Sequence, residues 1–464
     1  MSGTHFFRQA SDGRSIAPPV RAMGDPAGRI PMGTKNLMTV SPEHAAATIA
    51  VFLLTLTLIL ARPRGLHEAW ATLIGGGLML LLRLETPQQA WRTTAQGGDV
   101  LAFLLALMLL SALLDSSGFF EWAAILSARA AQGSGSALYR NVFLLGALIT
   151  ALLSLDTTAI ILTPVVLAFV QRLHLKPLPF LLACAFVANT GSLLLPVSNL
   201  TNLLFQNAFH LKFGAFALRM ALPQIGAVLV NFLVFRRLFR ADLPDKFDPS
   251  QLPEPSSVLP DLSYFRGAVL VLACVLIGYF VGSLRGIQPS VIALAGCGAL
   301  LTWGLIRRQV TFAVFREISW PLFPFVVGLF VVIQGVENLG LAAYATRGLE
   351  AVGPHPFLVI LTTAFGAGLG ANIVNNIPMG LLCISVLHLG HAAPPALYGA
   401  LLGCNIGPNL TPAGSLATML VITTARKKGE DISAGQFVRA GLRATPLVLL
   451  ASCALLWLAL SVLH

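Results

Sequence analysis

The sequence predicts an all-α polytopic membrane protein made of two inverted-topology repeats of five spans, each with a re-entrant hairpin and a broken helix. Three observations carry that prediction. Of 464 residues, 56% are hydrophobic and only 11% charged, and the mean hydropathy is +0.79, a balance that excludes a soluble enzyme. The apolar residues fall in runs long enough to span a bilayer. Finally, Ala188 to Asn202, ANTGSLLLPVSNLTN, returns in near copy 216 positions later: Asn189, Gly191, Leu194, Pro196 and Leu200 match Asn405, Gly407, Leu410, Pro412 and Leu416, and Asn199 is answered by Ser415.

Residues 1–44 are polar, contain Pro and Gly and lack an apolar core, so they read as a tail and not a signal peptide, with Met23, Met32 or Met38 as alternative starts. A first repeat, 45–240, carries apolar segments at about 46–61, 69–82, 99–115, 141–171, 179–206 and 213–235. Residues 241–263 hold Asp242, Asp245, Asp248, Glu254 and Asp261 among five prolines and form an exposed cytoplasmic linker. The second repeat, 264–464, gives segments at about 265–284, 289–306, 319–336, 356–389, 396–425 and 436–463.

Segment 141–171 would make about 46 Å of helix against a hydrocarbon core of about 30 Å, too long for one span and too short for two. Arg140 precedes it and Arg172 and Lys176 follow it, so both ends belong on the cytoplasmic side. It therefore reads as a re-entrant hairpin with Asp156, Thr157 and Thr158 at its tip. Segment 356–389 has the same anatomy around Asn372, Asn375, Asn376 and Pro378, and no Lys or Arg occurs between Arg347 and Arg426, so this second hairpin enters from outside.

With the hairpins non-crossing, ten spans remain. A cytoplasmic linker then puts 19 of the 30 lysines and arginines inside and six loop residues outside. Five spans per repeat is an odd number, which requires inverted topology. A second match supports duplication: Phe103, Asp115, Gly118 and Trp122 correspond to Phe325, Glu337, Gly340 and Tyr344 at a constant offset of 222. The net charge of +11 sits at the ends of apolar runs and reports orientation, not nucleic-acid binding.

Gly and Pro inside an apolar run free backbone groups that lipid cannot satisfy, so each break must face protein or a watery cavity. Paired breaks in two halves of a transporter point to a midplane binding site. The plainer alternative is a pair of Pro-kinked packing helices. Asn189, Thr190, Ser192, Ser198, Asn199, Thr201 and Asn202 in one break, and Asn405, Asn409, Thr411, Ser415 and Thr418 in the other, supply neutral donors and acceptors without a fixed cation. Thr157, Thr158, Asn375 and Asn376 at the hairpin tips complete the candidate substrate site. Asp156, the one acidic residue in the middle of a predicted membrane segment, is the candidate for proton coupling. Asp115 and Glu337 at span ends read as interfacial or capping groups, and His355, His388 and His391 as solvated ones. The six cysteines show no CxxC spacing, so no disulfide framework, metal or cofactor is expected, and a lone Cys404 beside a break reads as packing. An intramembrane hydrolase would need a paired acid or an HExxH-type site, and neither is present.

LLDSSGFFEWAA (113–124), LDTTAIILTPVV (155–166), ANTGSLLLPVSNLTN (188–202), NNIPM (375–379) and GCNIGPNLTPAGSLAT (403–418) resemble the arsenical pump membrane protein family, the bacterial arsenite and antimonite permeases of the ion transporter superfamily. The similarity covers roughly residues 45–464. It implies a scaffold part and a transport part, substrate held by hairpin tips and broken helices, and proton-coupled export of trivalent arsenic or antimony across the inner membrane by a multi-pass protein. Where the family's first hairpin usually reads Asn-Asp-Gly, this chain has Leu155, Asp156 and Thr157. Where its second break often carries an acid and a lysine, this chain has Asn405 and Asn409. The alternative is a sodium- or proton-coupled transporter of another anion, a dicarboxylate or inorganic oxyanion. The expected partners are the small oxyacid or anion, H+ or alternatively Na+ as coupling ion, membrane lipid and a second copy in a homodimer.

Overall fold

A computed structural model describes residues 41–390 and 392–463, helical throughout apart from one isolated β-bridge between Ser134 and Lys246. The tail up to residue 40, its alternative starts and His391 lie outside the described residues. The first ten helices are α1 (Pro42–Ala61), α2 (Glu68–Leu81), α3 (Pro87–Gln96), α4 (Gly98–Ser116), α5 (Phe119–Arg129), α6 (Gly135–Leu152), α7 (Leu155–Arg172), α8 (Pro177–Thr190), α9 (Leu200–Ala208) and α10 (Phe213–Leu238). The next nine are α11 (Leu262–Leu284), α12 (Pro289–Ile306), α13 (Leu322–Glu337), α14 (Leu341–Glu350), α15 (Pro356–Val374), α16 (Asn376–Leu389), α17 (Pro394–Ile406), α18 (Leu416–Lys427) and α19 (Ala434–Val462).

Among the described residues nine helices are long and apolar enough to cross a membrane: α1, α4, α6, α7, α10, α11, α12, α15 and α19. Shorter apolar helices are α2, α8, α13 and α16. This set is not the ten spans counted from hydropathy. It includes both arms of the first hairpin, because Ser134 caps α6 well before residue 141 and gives each arm 18 residues. That corrects the expectation that the segment is too short for two spans, since 18 residues make about 27 Å of helix. The arms part at Leu153 and Ser154, and the Ser154 hydroxyl caps α7 by accepting from the Thr157 amide. In the second hairpin the break is one residue, Asn375, at φ 76°.

Helices α3, α5 and α14 escaped the hydropathy reading because none is an apolar run. The first is set by a capping box between Thr86 and Gln89. The other two follow glycines in the left-handed region, Gly118 at φ 79° and Gly340 at φ 70°, so the 222-residue correspondence marks a sharp turn after α4 and after α13.

Packing is reciprocal. Helix α2 lies on α13 and α4 on α12, while α9 lies on α16 and α18 on α7; the two longest helices, α10 and α19, lie on each other. Close approach relies on small residues, as expected where lipid offers no hydrophobic drive for association. A Cβ on Gly328 would meet the Thr72 backbone at 2.6 Å, and Gly399, Gly403 and Gly407 of the α17 region are equally pressed against α15.

The stretch between α10 and α11 is not the free linker its composition suggests. The Phe247 amide donates to Gly133 O at 2.8 Å, Leu252 is buried, and Arg129 and Lys176 pair with Glu254 and Asp242. Each exposed pair adds at most about 1 kcal/mol. The buried leucine and the backbone bonds fix the segment against the base of the first hairpin.

Candidate functional site: the crossing of two broken helices

Helix α8 ends at Thr190, the chain runs through a short 3-10 turn at Pro196–Ser198, and α9 resumes at Leu200. Likewise α17 ends at Ile406, turns at Gly407–Leu410 and Pro412–Gly414, and resumes as α18. The two interruptions meet. Asn189 Nδ2 donates to Asn409 Oδ1 (2.8 Å) and Thr418 Oγ1 (3.2 Å). Asn405 Nδ2 donates to Asn202 Oδ1 (2.8 Å), while Asn405 Oδ1 accepts from Asn199 Nδ2 and the Ser192 hydroxyl. Since 189 and 405 are equivalent positions, as are 202 and 418, the same bond is made twice, once from each side. All these side chains are buried, so each unmade bond would carry a desolvation cost.

Several predicted residues serve the broken backbone or the side chains that hold it. Ser198 donates to Ser192 O and Leu195 O, and Thr190 to Phe186 O. Thr411 donates to Asn372 Oδ1, Asn372 donates to Gly407 O, and Asn375 Nδ2 donates to Ala413 O, so the second hairpin clamps the second break. Sequence reasoning missed Gln224 and Asn231 of α10. Gln224 Oε1 accepts from the Leu193 and Leu194 amides and its Nε2 donates to Thr190 O; Asn231 Nδ2 donates to Thr190 Oγ1. The signal was there, as uncharged polar residues inside an otherwise apolar span.

What the crossing leaves unpaired is oxygen, in amides and hydroxyls. Besides Asn231 Oδ1 on α10, the buried side-chain atoms without a partner here are Asn189 Oδ1, Asn375 Oδ1, Asn376 Oδ1, Thr201 Oγ1 and Ser415 Oγ, whereas the amide nitrogens of Asn189, Asn199, Asn202, Asn405 and Asn409 are all engaged. Three are carbonyl oxygens, which only accept, and two are hydroxyls, which accept or donate. The amide oxygens among them favour a ligand that donates hydrogen bonds.

The first hairpin tip stands apart from this network. Thr157 bonds the hydroxyls of Ser111 on α4 (2.8 Å) and Ser154 (2.9 Å), and Thr158 bonds Thr150. Asp156 accepts no hydrogen bond among the described residues. It lines a cavity of about 350 Å³ between α4 and α7, together with Asp115, Glu317 and the residues Ser111, Ser154, Thr157 and Ser319. Burial pushes Glu317, in the loop before α13, above the ordinary glutamate range. Asp115, expected as an interfacial or capping group, lines this cavity from the end of α4. Cys404 is buried, and no group of three or more metal-ligating side chains occurs among the described residues.

A family model described as arsenical pump membrane protein matches residues 47–460. The chain belongs to that family. It is 34% identical over 430 residues to the arsenical pump membrane protein of Escherichia coli strain K12, covering 89% of this chain and 98% of the relative. Identity to the protein of the same name from Yersinia enterocolitica is also 34%, over 425 residues, with coverage of 89% and 98%. Among solved structures, the YdaH transporter of Alcanivorax borkumensis superposes with TM-score 0.55 at 18% identity, covering 91% of this chain and 99% of that one. Neisseria gonorrhoeae MtrF gives 0.54 at 15% identity, with coverage of 88% and 94%. The helical architecture is therefore that of known transporters. As a family member with nine membrane-length helices, the protein is a multi-pass membrane transporter of the bacterial inner membrane.

Proposed function

We propose that this transporter exports arsenite or antimonite as the neutral trihydroxide, in exchange for protons. The observation that carries the proposal is the set of unpaired acceptors at the crossing. An oxyanion without protons presents only lone pairs and would face three amide oxygens with nothing to share. Its charge would rest on helix termini worth roughly half a unit each. A neutral trihydroxide brings three O–H donors to those oxygens and needs no counter-charge. Names of the relatives, arsenical pumps, point to arsenicals as substrates. Asp156 is the proposed proton carrier, since it lines a cavity at the hairpin tip as a titratable group with no fixed partner.

We further infer that residues 45–240 and 264–464 are inverted-topology repeats and that each hairpin is re-entrant, from the repeated helix order and the reciprocal packing. Cysteines placed at Gly133 and Gly390 in a thiol-free background would then react with impermeant reagents from opposite faces.

Everted membrane vesicles test the transport reading. Accumulation of arsenite should follow an inside-acid gradient without sodium and ignore excess sulfate or succinate. Because a neutral solute exchanged for a proton moves net charge, accumulation should also respond to membrane potential, by about 2.3 kcal/mol per 100 mV for each charge moved. Sodium-dependent movement of a dicarboxylate, with no arsenite flux, would refute it.

A further inference from the structure

Far from the crossing, Glu85 is a buried carboxyl that the mechanism above does not use. Helix α2 ends at Leu81, and Arg83, at φ 55°, turns the chain back so that the amides of Leu84 and Glu85 both donate to Met79 O, at 2.8 and 3.3 Å. The turn drives both side chains inward: Leu84 is 5% exposed and Glu85 2%. Neither carboxyl oxygen of Glu85 has a hydrogen-bond partner. The charge that acts on it is Glu337, at the end of α13. Glu337 in turn accepts from Ser385, on the second arm of the second hairpin.

We propose that the buried, unpartnered Glu85 carboxyl is a proton-binding site, beside the end of α13 that carries Glu337 and the hairpin arm that carries Ser385. Burial without a hydrogen-bond donor disfavours the ionised carboxyl, and a proton neutralises the group where no donor in the protein does. In keeping with this, burial and the Glu337 charge raise Glu85 to about 7. A metal cation is the poorer occupant, because sodium or calcium would need several more oxygens than this pair and one hydroxyl provide. The other charged groups on the packed elements do not neutralise it. Arg83 and Arg92 of the α2–α3 region are exposed, Glu43 of α1 is exposed, and Arg347 of α14 lies over the Tyr344 ring. His388 of α16 acts on Glu337 from the same arm as Ser385, with its Nε2 at 3.0 Å from Ala208 O. On the charge distribution of the loops this end faces outside, so the site would load from the external medium. That directional role rests on the proton-exchange reading; the binding site itself does not.

The full-length protein in detergent tests it without transport. On stepping the medium from acid to alkaline, the wild type should release a proton with a midpoint near 7, followed with a pH dye, and Glu85→Gln should remove that release. A group raised in the folded state favours folding below its unfolded value and loses that contribution as pH rises to about 7. The wild-type melting temperature should therefore fall across this window, and that of Glu85→Gln should fall less. Glu337→Gln, which keeps Glu85 but removes its neighbour's charge, should move the midpoint to lower pH. Equal proton release and equal pH dependence in wild type and Glu85→Gln would overturn the proposal, as would stabilisation of the wild type by sodium over choline that Glu85→Gln abolishes. Asp156→Asn should leave this release intact, so loss of coupling at Asp156 and loss of the Glu85 site are read separately.

Discussion

Asn405→Ala is the substitution that best separates a structural crossing from two merely kinked helices. Asn405 uses both ends of its amide, giving hydrogen bonds to Asn202 Oδ1 and Leu401 O and accepting from Asn199 and Ser192. Truncation leaves Asn202 Oδ1 without a donor and Asn199 Nδ2 with only the long 3.4 Å contact to Ser192 Oγ. Ser192 keeps Asn189 O as its acceptor, so it adds little. One buried group left unsatisfied costs about 1–3 kcal/mol and one weakened bond about 1 more, which sums to about 2–4 kcal/mol. Thermal unfolding of the purified protein in detergent, with Asn405→Ala beside the wild type, reads this directly. A melting temperature indistinguishable from wild type would refute the reasoning, because it would mean water or a rearranged break already satisfies these groups.

The unpaired acceptors should behave in the opposite way. Thr201→Val and Ser415→Ala remove oxygens that bond nothing in the protein, so melting should be unchanged while half-saturation for arsenite rises about 5- to 10-fold, the worth of one hydrogen bond; a loss of stability with unchanged affinity would show a structural role instead. In Gly403→Val the new Cβ would sit 2.2 Å from Ala364 O, so α15 and α17 must part, at a cost of at least about 1–3 kcal/mol; wild-type melting would show that this helix contact is looser than described. Asp156→Asn should give normal amounts of folded protein and transport at background, measured by arsenite accumulation in everted vesicles; transport with the wild-type pH profile would remove Asp156 from the coupling.

The legible part of this fold is what hydropathy and repetition encode. The long helices α1, α4, α10, α11, α12 and α19 coincide with apolar runs, and the two breaks announce themselves because Asn, Gly and Pro at matched spacing have no reason to sit in lipid. The short helices could not be found that way, since α5 and α14 are defined by left-handed glycines at their starts and α3 by a cap. The site was legible as a set of residue types but not as a division of labour. That Asn405 spends all its hydrogen-bonding capacity on protein, while Asn189 keeps its oxygen free, depends on which side chains the other half delivers. Nor could spacing show that Asp156 faces a cavity with Asp115 and Glu317, residues 41 and 161 positions away along the chain.

The hydrogen bonds also decide how the parts hold together. The second break depends on its hairpin, because Gly407 O and Ala413 O are satisfied by Asn372 and Asn375. Pulling that hairpin away would leave two carbonyls bare, at about 2–6 kcal/mol. The first break depends instead on α10 through Gln224, and the first hairpin makes no side-chain hydrogen bond to either break among the described residues. Its polar tie runs the other way, from Thr157 to Ser111 on α4, and exchanges one hydroxyl contact for another at little cost. The two breaks, cross-bonded through Asn189 and Asn405, thus behave as one body with the second hairpin attached to it. The first hairpin, which carries Asp156, is held against them by packing and not by side-chain hydrogen bonds to either break.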